Sequence, residues 1–149
     1  MNFDVDQQAS KFRRLPHCAG FGKQHDGDAG YDLYASFDAD LEMFVHQGRI
    51  SSVPTGIQVA CQPTEYFHVC PRSGMGSRGI QVLAGVVDSS YRGEVVVFLT
   101  NITSVPYKIR RGDRIAQLLH VRLSSLPLRE VNELDVTDRG AQGFGSTGK

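Results

Sequence analysis

Short apolar runs separated by turn-forming residues extend along most of the chain. In one of them, Tyr31, Leu33 and Ala35 alternate with Asp32 and Tyr34, which is the period of a half-buried strand. Other apolar runs lie at 11–15, 41–61, 66–70, 107–109 and 115–123. Because the runs are short and the turns frequent, the pattern predicts an all-β protein, built as a sandwich or a barrel.

The stretch 83–98 has apolar runs on both sides of a polar reversal. The run that ends at 86–87 and the run that begins at 95–98 predict the arms of a β-hairpin, joined by a loop of more than two residues. Ala84 and Gly85 in the first arm have almost no side chain, so a ligand or another backbone can approach closely.

Asp88 and Tyr91 lie in this predicted turn. They place a carboxylate and an aromatic ring at the mouth of the slot beside the small residues. Taken alone, they fit an ordinary hairpin with a capping aspartate and a surface tyrosine better than they fit a binding site. A binding site at these two residues is favoured only when the other motifs of the chain are considered with them.

Composition and charge set limits on the class of protein. The 149 residues suffice for one domain with a real core, and sixteen Lys and Arg balance sixteen Asp and Glu, which gives no support to a nucleic-acid or membrane binder. The three cysteines form no CxxC pair and the five histidines lack ligand spacing, so neither a disulfide framework nor a zinc site is expected. Without an apolar leader or a long apolar run, we expect an intracellular protein, in cytoplasm or nucleus.

The chain is predicted to form one β-domain, 1–137, followed by a Gly-rich C-terminal arm, 138–149, which has no apolar periodicity. The segment 17–28 is rich in Gly, His, Lys and Asp and is expected to be a loop. A short helix is one option for 128–134, where apolar residues recur at helical spacing, although Pro127 limits its length.

The segment 71–79, PRSGMGSRG, contains the spacing GxGxxG. A dinucleotide-binding fold needs that loop between a strand and a long helix, whereas the strand-like residues 80–83 follow here, so we reject that fold. Two interpretations remain: a plain surface loop, or a Gly/Ser turn whose amides bind an anion beside Arg72.

The arm segment 139–149, RGAQGFGSTGK, repeats the GxGxxG spacing and approaches a P-loop without its final Ser or Thr. Its glycines expose backbone amides, Ser146 and Thr147 add hydroxyl donors, and basic residues stand at both ends, a set that suits a polyphosphate. Phe144 among these glycines suits stacking on a base. The alternative is a disordered tail in which this ring makes only nonspecific contacts.

Five segments resemble, in order and spacing, the five motifs of the trimeric dUTPase family. They are DAGYDLYA at 28–35, PRSGMGSRG at 71–79, AGVVDSSYRGEV at 84–95, GDRIAQL at 112–118 and RGAQGFGSTG at 139–148. The resemblance implies a jelly-roll-like β-barrel that forms a homotrimer with active sites shared between subunits. It also implies hydrolysis of dUTP to dUMP and pyrophosphate with Mg²⁺ on the triphosphate, which limits uracil in DNA and supplies dUMP for dTTP synthesis.

The same resemblance assigns catalytic and phosphate-binding roles. Asp88 would orient and deprotonate the water that attacks the α-phosphorus, since an ionised carboxylate can accept a proton. Asp32 would act near the metal through waters, because Mg²⁺ keeps several waters and takes phosphate oxygens as ligands. The triphosphate would be held by Arg72, Ser73 and Gly74 with help from Gln117, and at its distal end by Arg139, Gly145, Ser146 and Thr147.

Selectivity for the nucleotide is assigned to the hairpin and the arm. Backbone groups around Gly85 and Val96 would pair with the uracil edge, so that cytosine would leave buried groups unpaired. Tyr91 would lie against the deoxyribose and exclude a 2′-hydroxyl. Phe144 would cap the base when the arm closes over the site.

The sequence departs from the family pattern at two positions and leaves other functions open. Ser90 stands where many relatives have an acidic residue, and Val82 where some have asparagine. A dCTP deaminase of the same fold is the nearest alternative, but Phe98 occupies the position of its catalytic glutamate. A dUTP-binding regulatory protein and a plain structural β-domain are the others.

Overall fold

The computed structural model describes residues 9–145 and is built almost entirely of strands. In chain order they are β1 (Lys11–Arg14), β2 (Phe21–Gly22), β3 (Gly30–Tyr34), β4 (Glu42–Val45), β5 (Ile50–Pro54), β6 (Ile57–Ala60), β7 (Glu65–Cys70), β8 (Ile80–Leu83), β9 (Val86–Val87), β10 (Val96–Asn101), β11 (Tyr107–Arg110) and β12 (Arg114–Arg122). One short helix, α1 (Ser73–Gly76), lies between β7 and β8. The prediction of an all-β protein is confirmed. Within 9–145, no helix is long and apolar enough to span a bilayer.

The strands pair antiparallel into four sheets. The largest has the order β2-β3-β12-β7-β9, and a second has the order β5-β10-β8. β1 with β6 and β4 with β11 form two-stranded pairs. This arrangement agrees with a jelly-roll-like fold, although the strands that the structure describes do not close into one continuous ring.

The core is made of aliphatic side chains that alternate along these strands. On β10, Val97 and Leu99 are fully buried while Phe98, between them, is 40% exposed. Burying a side chain of this size stabilises the fold by about 1.5–3 kcal/mol. The packed strands therefore form a rigid frame, which carries Asp32 on β3 and Gln117 on β12, while Asp88 and Tyr91 lie in the turn after β9.

The predicted hairpin at 83–98 is confirmed in one part and wrong in another. β8 pairs with β10 as expected, but β9 pairs with β7 in the largest sheet. The chain passes between the sheets at Ala84 and Gly85, which have φ values of 58° and 120°. A Cβ at Gly85 would lie 2.5 Å from the carbonyl oxygen of Val69. The small residues thus allow a change of sheet, which the apolar pattern alone does not reveal.

The segment 17–28 is a loop except for the two residues of β2, which the sequence interpretation missed. β2 pairs with β3, and the Phe21 ring stacks on Tyr31 with centroids 5.3 Å apart. Phe12 lies on the other side of Phe21, at a centroid distance of 4.8 Å. These aromatic contacts join different segments of the chain, so the composition of the loop alone does not predict them.

The short helix considered for 128–134 is wrong. The segment is irregular, and every side chain from 124 to 142 is exposed. A helix of this length needs a packed face to be stable, because forming its first turn costs conformational entropy that few hydrogen bonds offset. Within one chain, this segment has no such surface to pack against.

Candidate active site

The predicted site residues divide between two cavities that share no lining residue. One, of about 390 Å³, lies beside the turn after β9 and is called the hairpin cavity. The other, of about 370 Å³, lies beside the start of α1 and is called the arginine cavity. The hairpin cavity contains the predicted residues Gly85, Asp88, Tyr91 and Val96. The arginine cavity contains the predicted residues Asp32, Arg72, Ser73 and Gln117.

The turn that forms the hairpin cavity is fixed to the corner between β5 and β6. Glu94 Oε1 accepts a hydrogen bond from the Gly56 amide at 2.7 Å and lies 2.7 Å from His17 Nε2. The Val95 amide donates to the Ile57 carbonyl oxygen at 2.7 Å. These contacts link segments far apart in sequence, and they hold the turn in one position relative to the core.

The side chains of Asp88 and Tyr91, which both lie in this turn, differ in their hydrogen bonding. The exposed Asp88 carboxylate forms no hydrogen bond or ion pair with the rest of 9–145, while its backbone oxygen accepts from the Tyr91 amide at 3.0 Å. Tyr91 Oη donates to the Glu94 carbonyl oxygen at 3.0 Å, which fixes the ring. The arrangement gives a positioned aromatic wall beside a carboxylate that is free to accept a hydrogen bond.

One backbone group that lines the hairpin cavity already forms a hydrogen bond within the protein. The Gly85 carbonyl oxygen accepts from the Val69 amide at 2.8 Å. A ligand that pairs with the backbone around Gly85 therefore has to use other groups of that segment or share this oxygen, which has a second lone pair. Val96 is half-buried at the start of β10 and also lines this cavity.

The arginine cavity is organised around one nearly buried carboxylate. Asp32 is 8% exposed; Arg72 Nε donates to its Oδ1 at 2.9 Å, and Arg114 Nη1 lies 3.6 Å from its Oδ2. Gln117 Nε2 donates to the Pro71 carbonyl oxygen at 2.9 Å. Two guanidinium groups flank this one carboxylate, and their remaining N–H groups can bind phosphate oxygens.

A β-bulge in β12 brings its polar residues to this cavity. Arg114 and Gln117 are three positions apart, so regular alternation would point them to opposite faces of the sheet. The pairing register with β3 shifts between Arg114 and Ala116, and both Ile115 and Ala116 are buried. The bulge restores Arg114 and Gln117 to the same side, which is a common use of bulges near functional sites.

Several cavity residues were missed in the sequence. Arg114 lies within the GDRIAQL segment but was not assigned a role, because alternation alone would place it away from Gln117. Gln24, His25 and Asp28 line the arginine cavity from the loop before β3. In the sequence, Gln24 and His25 show only as polar residues of a loop, and Asp28, which opens the DAGYDLYA segment, was not assigned a role.

The described residues of the C-terminal arm, 138–145, line neither cavity within one chain. Arg139 Nε donates to the Gln142 carbonyl oxygen at 2.9 Å, and Phe144 is fully exposed. Gly145 has a φ of 84°, a conformation that glycine adopts without strain. Ser146 and Thr147, predicted to bind phosphate, lie outside the described residues.

Gly74, predicted to hold the triphosphate with Arg72 and Ser73, is the second residue of α1. A Cβ added there would meet no atom within 4 Å, so its surroundings are open. The backbone around it is accessible to a ligand, and the side chain of a larger residue would not be excluded by the protein itself.

The donor set of the arginine cavity fits a magnesium ion held mainly by a substrate. Both carboxylate oxygens of Asp32 are engaged by arginines, and Asp28 Oδ2 accepts from the His25 amide at 3.0 Å. Mg²⁺ prefers oxygen ligands, retains several waters and takes phosphate oxygens as ligands. Contact of Asp32 with the ion through water therefore suits these residues better than direct ligation.

Cys70 lies opposite Gln117 in the β7–β12 pair and offers no nucleophile to this site. Burial raises the pKa of the Cys70 thiol above its ordinary value of 9.0. The thiol is consequently protonated at neutral pH, and the thiolate is the nucleophilic form. Chemistry at this cavity is thus left to water and to oxygen and nitrogen groups.

Comparison with known proteins shows the family of this chain. The family model of dUTPase matches residues 18–148. A deoxyuridine 5′-triphosphate nucleotidohydrolase of Fowl adenovirus A serotype 1 is 42% identical over 147 residues, covering 97% of this chain and 80% of the relative. The protein of the same name from Cowpox virus (strain GRI-90) is 42% identical over 126 residues, covering 85% of this chain and 83% of the relative.

Solved structures share the fold at low sequence identity. A mutant dUTPase of Staphylococcus bacteriophage 80alpha in complex with dUpNHpp has a TM-score of 0.81 at 22% identity, covering 95% of this chain and 99% of that one. A mutant dUTPase of phage phi11 of S. aureus, which coordinates a structural Mg(II) ion, has a TM-score of 0.74 at 19% identity, covering 86% and 99%. Together with the family match over most of the sequence, these findings show that the chain belongs to the dUTPase family.

Proposed function

We propose that the protein is a dUTP diphosphatase, which hydrolyses dUTP to dUMP and pyrophosphate. The observation that carries this proposal is the pair of cavities. One offers a free carboxylate beside a fixed aromatic ring, and the other offers two guanidinium groups around a nearly buried carboxylate. The relatives in Fowl adenovirus and Cowpox virus bear the name of this activity.

In the proposed mechanism, Asp88 orients a water molecule toward the α-phosphorus and accepts its proton. The role fits a carboxylate with no partner among the described side chains, because its oxygens can accept from water. Attack on phosphorus needs an oriented nucleophile and neutralisation of the phosphate charge. The bond from the α-phosphorus to its bridging oxygen breaks, and pyrophosphate leaves.

The phosphate chain would be held by Arg72, Ser73 and Gly74, with Gln117 assisting. The structure leads us to add Arg114, since its guanidinium group flanks Asp32 from the side opposite Arg72. Arg139, Gly145, Ser146 and Thr147 of the arm would hold the distal phosphates. Magnesium on the triphosphate would supply further charge neutralisation, with Asp32 holding it through water.

The base and sugar would lie in the hairpin cavity. Backbone groups around Gly85 and Val96 would pair with the uracil edge, and Tyr91 would contact the deoxyribose. Phe144 would cover the base once the arm closes, which excludes water from the site. The narrow passage at Gly85, where β-carbon atoms do not fit, limits the space for a larger base.

We further propose that the active protein is an intracellular homotrimer with shared sites. Two features support shared sites: the cavities have no lining residue in common, and the described arm residues line neither of them. A complete site would combine the hairpin cavity of one subunit, the arginine cavity of another and an arm. Closed cyclic assemblies repeat such heterologous contacts at every interface.

The activity is tested by incubating the purified protein with Mg²⁺ and, in parallel, dUTP, UTP, dTTP or dCTP, and separating the products by anion exchange. We expect conversion of dUTP alone to dUMP and pyrophosphate. Turnover of UTP or dTTP at a similar rate would contradict the proposed base and sugar contacts. Absence of any turnover would overturn the proposed hydrolysis.

The same assay separates the alternatives. A dCTP deaminase would release ammonia and convert dCTP to a uracil nucleotide. Phe98, which lines the hairpin cavity where that class has its catalytic glutamate, disfavours this reaction because a phenyl ring transfers no proton. A purely regulatory protein would bind a non-hydrolysable dUTP analogue in calorimetry without hydrolysing dUTP.

A further inference from the structure

Outside both cavities, three side chains with metal-binding atoms converge at one end of the largest sheet. Cys61 follows β6, Glu65 begins β7 and His120 lies near the end of β12. The cysteine sulfur, a glutamate oxygen and an imidazole nitrogen all lie within 4.8 Å of one another. We call these three residues the Cys–Glu–His cluster.

Hydrogen bonds and ring packing already orient the cluster. Glu65 Oε2 lies 2.8 Å from His120 Nε2, and Ser10 Oγ lies 3.1 Å from both atoms. The His120 ring stacks on Phe67 with centroids 4.8 Å apart and planes inclined by 23°. One nitrogen of the imidazole thereby faces the glutamate, while the His120 side chain stays about one third exposed to solvent, where an ion can reach it.

No fixed cation neutralises this cluster. Among residues 9–145, the only ion pair of Glu65 is with His120, which is charged only when protonated. Burial and the Glu65 carboxylate raise the pKa of the Cys61 thiol, and Arg92 lowers it by a smaller amount. Within 9–145, Glu65 therefore has no lysine or arginine partner that a metal ion would have to displace.

The donor set is that of a zinc site, and its spacing is close to what such a site needs. Thiolate, imidazole and carboxylate are the three ligand types that Zn²⁺ takes in proteins, and imidazole and thiolate disfavour Mg²⁺ and Ca²⁺. Zinc bonds of about 2.0–2.3 Å in tetrahedral geometry set the donor atoms about 3.3–3.8 Å apart. Atoms that lie within 4.8 Å of one another reach this geometry through side-chain shifts of under an ångström.

We propose that the Cys–Glu–His cluster binds one Zn²⁺, or a divalent ion of similar softness, per chain. Three protein ligands leave a fourth position, which lies beside Ser10 Oγ and would be taken by that hydroxyl or by water. Binding links the segment before β1 to the ends of β7 and β12. The thiol of Cys61 would lose its proton to solvent on binding, since the thiolate is the ligand.

The test is titration of chelator-treated full-length protein with Zn²⁺ by calorimetry, without nucleotide. We expect one equivalent per chain in the parent protein and an affinity at least about tenfold weaker in Cys61→Ser, Glu65→Gln and His120→Gln, since even groups beyond the ligands affect affinity by 10–100-fold. Cys18→Ser and His68→Gln are matched controls outside the cluster and should bind like the parent. Equal binding by the cluster variants and the controls would overturn the proposal, as would no stoichiometric binding by the parent.

A second measurement does not depend on the cluster variants being folded. In the double variant Cys18→Ser, Cys70→Ser, the remaining thiol is that of Cys61. Adding Co²⁺ to this protein should produce the thiolate-to-cobalt charge-transfer absorption that a cobalt–sulfur bond gives. Absence of this band would contradict ligation by Cys61. Hydrolysis of dUTP with Mg²⁺ is assayed separately, so failure of the zinc site and failure of the proposed activity are distinguishable.

Discussion

Asp32 and Asp88 are the two aspartates of the proposed site, and their surroundings differ. Asp32 is nearly buried and engaged by Arg72 and Arg114, whereas Asp88 is exposed and unpaired within 9–145. A nearly buried carboxylate between two guanidinium groups serves to position them, because its negative charge is already paired with theirs. A free carboxylate can accept from water. These environments favour Asp88 over Asp32 as the base.

Replacing Asp88 by asparagine should lower kcat by about 10²–10⁴-fold, the usual contribution of general acid–base catalysis. The amide keeps the size of the side chain but does not accept the proton of the attacking water. Binding of a non-hydrolysable dUTP analogue, measured by calorimetry, should change little. Asp40→Asn, on an exposed turn that lines neither cavity, is the control. Loss of analogue binding in the Asp88 variant would mean that this residue does more than activate water.

Glu42 provides a pH-dependent contribution to stability on the β4–β11 pair. A hydrogen bond from Lys108, whose Nζ lies 2.7 Å from Glu42 Oε1, lowers the pKa of Glu42 below its ordinary value of 4.5. A carboxyl group with a lower pKa in the folded state adds stability above pH 4.5, and that stability is lost as the pH falls through the folded value.

Glu42→Gln should therefore be slightly less stable than the parent near neutral pH, and this deficit should shrink as the pH is lowered below 4.5. Urea unfolding near neutral pH and at successively lower pH measures the difference. Glu133→Gln, exposed in the segment after β12, should match the parent at each pH. A deficit of Glu42→Gln that persists unchanged in acid would show that the ion pair is not its cause.

At the scale of elements, the passage from β8 to β9 decides the shape of the hairpin cavity. Gly85 has a φ of 120° and approaches the Val69 carbonyl oxygen so closely that a β-carbon would lie 2.5 Å from it. Gly85→Ala should lower the free energy of unfolding by about 1–3 kcal/mol, the cost of a strained backbone position. Gly27→Ala, where nothing lies within 4 Å, should change it by less than about 0.5 kcal/mol.

Chemical denaturation of the two variants measures this difference. If Gly85→Ala is as stable as Gly27→Ala, the close approach of β7 to the passage is not a constraint on the fold. A further expectation concerns the site itself. Because the passage forms a wall of the hairpin cavity, Gly85→Ala should also weaken binding of the non-hydrolysable dUTP analogue, whereas Gly27→Ala should leave it closer to the parent value.

At the scale of the whole molecule, the separation of the two cavities makes a prediction about assembly. Asp88→Asn removes a group of the hairpin cavity, and Arg72→Ala removes a group of the arginine cavity. Each variant alone should be nearly inactive. If sites are shared between subunits, co-assembly at a one-to-one ratio regenerates complete sites and should give about a quarter of the parent activity, the random-assortment value.

The rate of co-assembled protein, compared with simple mixing of preformed oligomers, measures this complementation. Preformed oligomers that do not exchange subunits are the control and should stay inactive. No recovery in co-assembled protein would place both groups in the same subunit's site and contradict the proposed sharing.

The arm gives a second prediction at this scale. Removal of residues 139–149, or Phe144→Ala, should abolish most dUTP hydrolysis while the oligomer persists, because the arm is proposed to close over the site and its described residues lie outside the packed core. Size exclusion with light scattering and the product assay measure the two properties. Phe44→Ala, an exposed phenylalanine on β4, is the matched control. A monomeric truncated protein would contradict this view of the arm.

The alternation of apolar and polar residues was sufficient to predict most strands, and the motifs were sufficient to name candidate site residues. Alternation at Tyr31, Leu33 and Ala35 indicated β3, and the strand-like residues after the Gly-rich segment 71–79 excluded a dinucleotide fold. The phosphate-suited composition around Arg72 led to the cavity where it lies with Asp32 and Gln117. The boundary at 137–138 between domain and arm stays a prediction, as do the roles of the arm residues.

By itself, then, the sequence determined most of the strand content, because alternation and turn propensity are local properties, and its motifs named the candidate site residues through the family resemblance. Tertiary structure alone decided which of these residues meet. The change of sheet at Gly85, the bulge that turns Arg114 toward the Gln117 side, and the convergence of Cys61, Glu65 and His120 all depend on pairing between distant strands. Such pairing is set by packing of the whole chain, so no local spacing records it.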